Sequence, residues 1–183
     1  MLANEKEIIH RAQRGDRDAL ATLYREHYSA IFNYFFYRLG DQTTAEDLTA
    51  EVFVRMVDKI DGYRYRGKPI LAWLYTIARN LLINYRQRAE NAPKLPLEER
   101  LVASDGNPVQ AAERRLTVDC LQLALNYLTD VQRQVIIGKF IEGRSTAEVA
   151  KILNKTEGAI KSLQHRALGA LRRAMEKENC YEP

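Results

Sequence analysis

Residues 145 to 173, STAEVAKILNKTEGAIKSLQHRALGALRR, decide how this chain is read. Ser145 and Glu148 have the spacing of a reciprocal helix cap, so a short helix begins there and runs to about Leu153. Leu153-Asn154-Lys155 is a tight connection, and Thr156 opens a longer helix with Ile160, Leu163, Ala167, Leu171 and Ala174 on one face. Lys161, Ser162, His165, Arg166 and Arg172 fall on the other face. A short helix, a tight turn and a longer helix with a basic outer face make a helix-turn-helix pattern, whose second helix enters the major groove by its first turns and meets phosphates with later ones. A plain helical hairpin with a solvated face shares the spacing. The unequal division of charge between the two faces favours the DNA reader.

Working outward, Thr129 with Gln132 caps a helix that ends at Gly143. Asn107-Pro108 reads as a cap and first-turn proline for a helix carrying Ala112, Leu116, Cys120, Leu123 and Tyr127 on one side. Before it periodicity is lost, and Pro93, Pro96, Ser104, Gly106 and Pro108 accumulate as in an exposed, flexible linker. The linker spans 91–108, dividing a first domain, 1–90, from a second, 109–178.

The first domain reads as four helices. Asn4 with Glu7 caps the first, which Gly15 ends; the second runs from about Asp16 to Gly40 with Leu20, Leu23, His27, Ile31, Phe35 and Leu39 inward. The third starts at Thr44 and turns Leu48, Val52, Met56 and Ile60 inward. Gly62, Gly67 and Pro69 break the pattern into a loop, after which Pro69 suits the first turn of a fourth helix with Ile70, Leu74, Ile77, Ala78, Leu81 and Tyr85 buried. The expectation is an all-α protein of two small helical domains.

A net charge of +4 is a mild lean toward an anionic partner, but the charge is segregated. Residues 61–88 combine Arg64, Arg66, Lys68, Arg79, Arg86 and Arg88 with Tyr63, Tyr65, Trp73, Tyr75 and Tyr85. Aromatic faces stack unpaired bases and cations hold the backbone, so this mixture suits single-stranded nucleic acid, with Tyr63 and Tyr65 as candidates and Trp73 assigned to the core. On the third helix Asp47, Glu51 and Asp58 share a side away from the apolar residues, which fits either docking on a partner's arginines or a plain solvated face.

Other classes fare worse. Cys120 and Cys180 lie far apart, so neither zinc nor a disulfide framework is indicated, and a reducing cytoplasm is expected. No apolar run is long enough to cross a bilayer and no secretion signal opens the chain. Neither a P-loop nor a nucleophile elbow occurs, and His10, His27 and His165 do not sit with carboxylates at metal spacing, so no enzyme, metal or cofactor is expected. A free-standing repressor would explain the last helices but leaves the basic aromatic loop and the acidic stripe without a purpose.

Three stretches decide among these readings: Ala45-Glu46-Asp47-Leu48-Thr49-Ala50-Glu51-Val52-Phe53; Tyr65-Arg66-Gly67 with Ala72 through Asn80; and Glu148-Val149-Ala150 through Ser162. In this order around a linker, the chain resembles the extracytoplasmic-function sigma factors. The resemblance implies a first domain that opens the −10 promoter element and a second that reads the −35 element. It implies that Asp47 and Glu51 face the clamp helices of the β′ subunit of RNA polymerase core, with the flap of β as a second contact. It further implies that Tyr65, Arg66, Lys68 and Asn80 surround an unstacked base, that Lys161, Ser162, His165 and Arg166 meet upstream duplex, and that an anti-sigma factor regulates the chain. Lys68 stands where an acidic residue is common in the family, Leu163 where an arginine is, and Thr129 where a proline is; the first two bear on promoter sequence.

Overall fold

The computed structural model describes residues 4–91, 119–178 and 180, and all regular structure among them is helical. The expected linker, residues 92–108 of it, and the proposed helix start at Asn107-Pro108 lie outside the described residues.

Helix α1 spans Glu5–Gln13, α2 Arg17–Leu39, α3 Gln42–Lys59 and α4 Ile70–Asn91. Asp16 accepts from the amides of Asp18 and Ala19 to start α2, which Gly40 ends at φ 76°. Asp41 accepts from the Thr44 amide to start α3, so that helix begins earlier than the sequence suggested. The cap expected from Asn4 is absent: Asn4 has φ 64° and makes no side-chain cap bond, and its carbonyl instead accepts from Glu7 and Ile8. Leu23, Ile31, Phe35, Val52, Met56, Ile60, Ile70 and Leu74 fill the centre of this bundle. Each such side chain contributes roughly 1.5–3 kcal/mol by leaving water. Tyr85, expected inside, is 36% exposed, because α4 runs on past its last buried residue, Leu82.

The second module begins with a helix over 119–126, here α5, followed by α6 at Asp130–Ile136, a π turn at Ile137–Ile141, α7 at Thr146–Leu153 and α8 at Glu157–Lys177. Both capping boxes read from sequence are present, Thr129 with Gln132 and Ser145 with Glu148. Such caps are worth about 1 kcal/mol each. The face of α5 differs from the expected one. Ala124, Leu125 and Leu128 pack on Ile136, Ala167, Leu171 and Ala174, while Leu123 and Tyr127 are 49% and 48% exposed. The inward residues Leu121, Ala124, Leu125 and Leu128 are also apolar at helical spacing, a series that the expected face left out.

A second correction concerns the cysteines. Cys120 and Cys180 form a disulfide, with Cα atoms 5.9 Å apart, although sixty residues separate them in sequence. Folding of α6, α7 and α8 back onto α5 brings them together, so separation along the chain was a poor guide to separation in space.

The two modules touch. Ile152 of α7 belongs to the first module's apolar cluster, with Leu153 packed against it. The Gln122 amide donates to the Phe36 carbonyl at 3.4 Å, and Arg38, buried beneath the Tyr34 ring, pairs with Asp130 at 3.6 Å.

Candidate functional site

Three surfaces carry the candidate residues. The first is α3, on which Asp47 and Asp58 are exposed while Glu51 is partly covered and pairs with Arg55 at 2.8 Å, one helical turn on. Between them Val54 and Val57 stand 55% and 48% exposed, and Tyr24, 43% exposed, packs edge-on against Phe53 at 4.8 Å. The face is therefore acidic and apolar together. Val54 and Val57 went unremarked in the sequence. Their signal was that they are apolar and lie outside the inward series Leu48, Val52, Met56 and Ile60.

The second surface is the loop 60–69 with the start of α4. The loop is not free. Gln13 of α1 donates from its side-chain amide to the carbonyls of Ile60, at 2.9 Å, and Tyr63, at 2.7 Å. Glu5 accepts from the Ile70 amide at 3.3 Å, serving as a remote cap for α4, and its carboxyl is pushed above the ordinary range chiefly by burial. Gln13 and Glu5 were missed from sequence, since neither is near the loop along the chain. Tyr63 rests on Trp73 with ring centroids 4.7 Å apart, and burial pushes its phenol up. Tyr65 is half-buried against the same bundle. Arg66 and Lys68 are exposed on either side of Gly67, whose φ of 74° suits glycine, and Arg79 and Asn80 are exposed on α4. This gives a tethered aromatic ledge rimmed by cations. Of the predicted residues, Tyr65, Arg66 and Lys68 adjoin one another along the loop, while Arg79 and Asn80 lie about three turns into α4 or less.

The third surface is α8. Thr156 caps it, and Lys161, Ser162, His165, Arg166 and Arg172 are all exposed, opposite buried Ile160, Ala167, Leu171 and Ala174. Arg166 donates to the Ser162 carbonyl at 3.4 Å and Arg172 pairs with Glu176 at 3.5 Å, both loose, exposed contacts that a phosphate can displace. Asn154, at φ 53°, makes the sharp turn between α7 and α8. Leu163 is half-buried against Val149 and Ala150 and serves packing.

The loop meets α7 and the α7–α8 turn at a cleft lined by Gly67, Lys68, Lys151, Asn154, Lys155 and Glu157. The modules are also held by a polar contact. The Tyr75 hydroxyl donates to Glu142 at 3.4 Å, and Glu142 in turn pairs with Arg144 at 2.6 Å with side chains only 6% and 16% exposed. His27 lies within the field of Arg144 and is depressed to about 4, by burial first and by that charge second. No described helix is long and apolar enough to cross a membrane.

Comparison with known proteins follows these modules. The Sigma-70 region 2 family model matches residues 23–91, and the Sigma-70, region 4 model matches 124–173. The ECF RNA polymerase sigma factor BldN of Streptomyces coelicolor is 35% identical over 94% of this chain, which spans 66% of that relative, just under two thirds of its length. The ECF RNA polymerase sigma factor SigW of Bacillus subtilis is 31% identical, with 93% of this chain and 96% of the relative covered. Among solved structures, the sigma factor RpoE in complex with the anti-sigma factor NepR from Bartonella quintana shares the fold at a TM-score of 0.53 and 23% identity, covering 85% of this chain and 96% of that one.

Proposed function

That this chain belongs to the extracytoplasmic-function RNA polymerase sigma factors is the premise from which we propose how its surfaces divide the work of initiation. Members of the family are regulatory DNA-binding proteins, and this one is a promoter-directing transcription initiation factor. In the reading proposed, residues 1–90 form the module that binds polymerase and opens the −10 element, 91–108 link it to the second, and 109–178 read the −35 element.

The acidic and apolar face of α3, with Asp47, Glu51 and Asp58 around Val54 and Val57, docks on the clamp helices of β′; the second module reaches the flap of β. The ledge of Tyr63 and Tyr65 with Arg66, Lys68, Arg79 and Asn80 takes the separated strand. Lys161, Ser162, His165, Arg166 and Arg172 take the duplex. The protein works in the cytoplasm with an anti-sigma factor as its regulator.

Energetics give the reason for this division. Opening roughly ten base pairs at about 1.4 kcal/mol per stacking step costs on the order of 14 kcal/mol, whereas each captured base returns about 1–3 kcal/mol. The tethered ledge holds only a few bases, so the remainder comes from polymerase, and the chain has to grip that enzyme while it holds the strand. The observation that supports the reading is that an acidic and apolar face on α3, a cation-rimmed aromatic ledge at the 60–69 loop and a basic outer face on α8 lie on different elements.

The test is reversal of charge. Asp47→Lys with Glu51→Lys is expected to abolish co-purification with RNA polymerase core while circular dichroism is unchanged, since both residues lie outside the apolar core. Undiminished co-purification by the folded double variant overturns the assignment of α3.

A further inference from the structure

We propose that Cys120 and Cys180 are a reversible oxidation site that closes the second module into a covalent ring and sets its stability. They are the chain's only cysteines. Cys120 sits in α5 and Cys180 lies just beyond the end of α8, where its amide donates to the Met175 carbonyl at 2.9 Å and turns the chain back toward α5. Two further contacts hold the same elements side by side: Tyr127 donates to Glu178, and the Lys177 ammonium lies 5.1 Å from the Tyr127 ring centre. The Cα separation of 5.9 Å falls within the range a disulfide spans. Both residues are partly exposed, so an oxidant and a reductant can reach them.

The bond encloses α6, the π turn, α7 and all of α8, including the whole duplex-reading unit. It also fixes α5, whose Ala124 and Leu125, with Leu128 just beyond its end, form one wall of the apolar cluster beneath α8. Without the bond α5 is held by packing and by hydrogen bonds such as that from Gln122 to the Phe36 carbonyl. With it α5 cannot leave the cluster. In a reducing compartment a surface disulfide of this kind is transient, which makes it a sensor and not a permanent staple.

The chemistry needs a hydroperoxide as oxidant. One thiolate attacks the O–O bond, an S–O bond forms, and the departing oxygen leaves as water, giving a sulfenic acid. The second thiolate attacks that sulfur, an S–S bond forms, and hydroxide leaves to take the remaining proton as water. Two thiols and one hydrogen peroxide thus give one disulfide and two waters; a dithiol reverses the bond by exchange. This chemistry is independent of the promoter-directing role; only its consequence for transcription rests on that reading.

The test uses the full chain, reduced, treated with hydrogen peroxide, quenched with catalase, denatured and alkylated with N-ethylmaleimide. The expected result is a monomer that has lost two hydrogens and takes up no maleimide, a linked Cys120–Cys180 peptide, and a melting midpoint higher by on the order of 10 °C. Dithiothreitol returns both, and Cys120→Ser or Cys180→Ser each abolishes the gain. Two alkylatable thiols after treatment, intermolecular dimers, sulfinic acids alone, or a linked chain with an unchanged midpoint overturns the proposal. Run-off transcription with polymerase core on the same samples separates the readings. A linked, stabilised chain that starts no RNA in either state leaves the oxidation site standing and removes the promoter-directing mechanism.

Discussion

His27 should make this protein acid-sensitive by a calculable amount. Its side chain is 3% exposed, neither ring nitrogen has a hydrogen-bond partner among the described residues, and Arg144 adds a repulsive charge. These hold its folded pKa at about 4 against an ordinary value of 6.5. The folded chain therefore refuses a proton that the unfolded chain accepts. The stability that His27 contributes as a neutral ring is complete above pH 6.5 and is lost as pH falls toward 4. The loss runs at about 1.4 kcal/mol per pH unit inside that window and reaches about 2 kcal/mol between pH 7 and pH 5. Carboxylates also titrate near the lower end, so the measurement compares the wild type with His27→Leu by urea denaturation at both pH values. The double difference isolates the imidazole and should be about 2 kcal/mol, with the variant the less acid-sensitive. A double difference of a few tenths would refute the burial argument, since an imidazole solvated in the folded chain gains no such penalty.

Two further outcomes test the DNA surfaces. Tyr65→Ala should slow open-complex formation on duplex promoters and act far less on templates melted beforehand, read by permanganate footprinting; equal defects on both templates would remove the strand-capture role. Lys161→Ala with Arg166→Ala should weaken promoter binding by the polymerase complex and lower the slope of log affinity against log salt by about 0.9 for each lost phosphate contact, read by binding titrations across salt concentration. An unchanged slope would mean that neither side chain meets a phosphate.

The helices were legible where local chemistry sets them. Thr129 with Gln132, Ser145 with Glu148, Asp16 and Gly40 are signals within a single turn, and each punctuates the helix it was read to punctuate. The inward face of α2 followed from period alone, with Leu23, His27, Ile31 and Phe35 all buried. The expected Asn4 cap and the expected face of α5 failed although their signals were local, but the other misses depended on distant chain. The cap of α4 is supplied by Glu5 of α1, and the cysteine pair exists only because three helices fold between its members. The candidate surfaces divide the same way. Lys161 through Arg172 could be placed on an outer face from period, whereas the tethering of the loop by Gln13 and the joining of the modules through Tyr75, Glu142 and Arg144 required the fold.

The most direct measurement is transcription on a library of promoter-bearing duplex fragments by RNA polymerase core, with and without this chain, the RNA 5′ ends being mapped. Discrete start points that appear only when the chain is added are the predicted result. The same scattered ends with and without it would contradict the account.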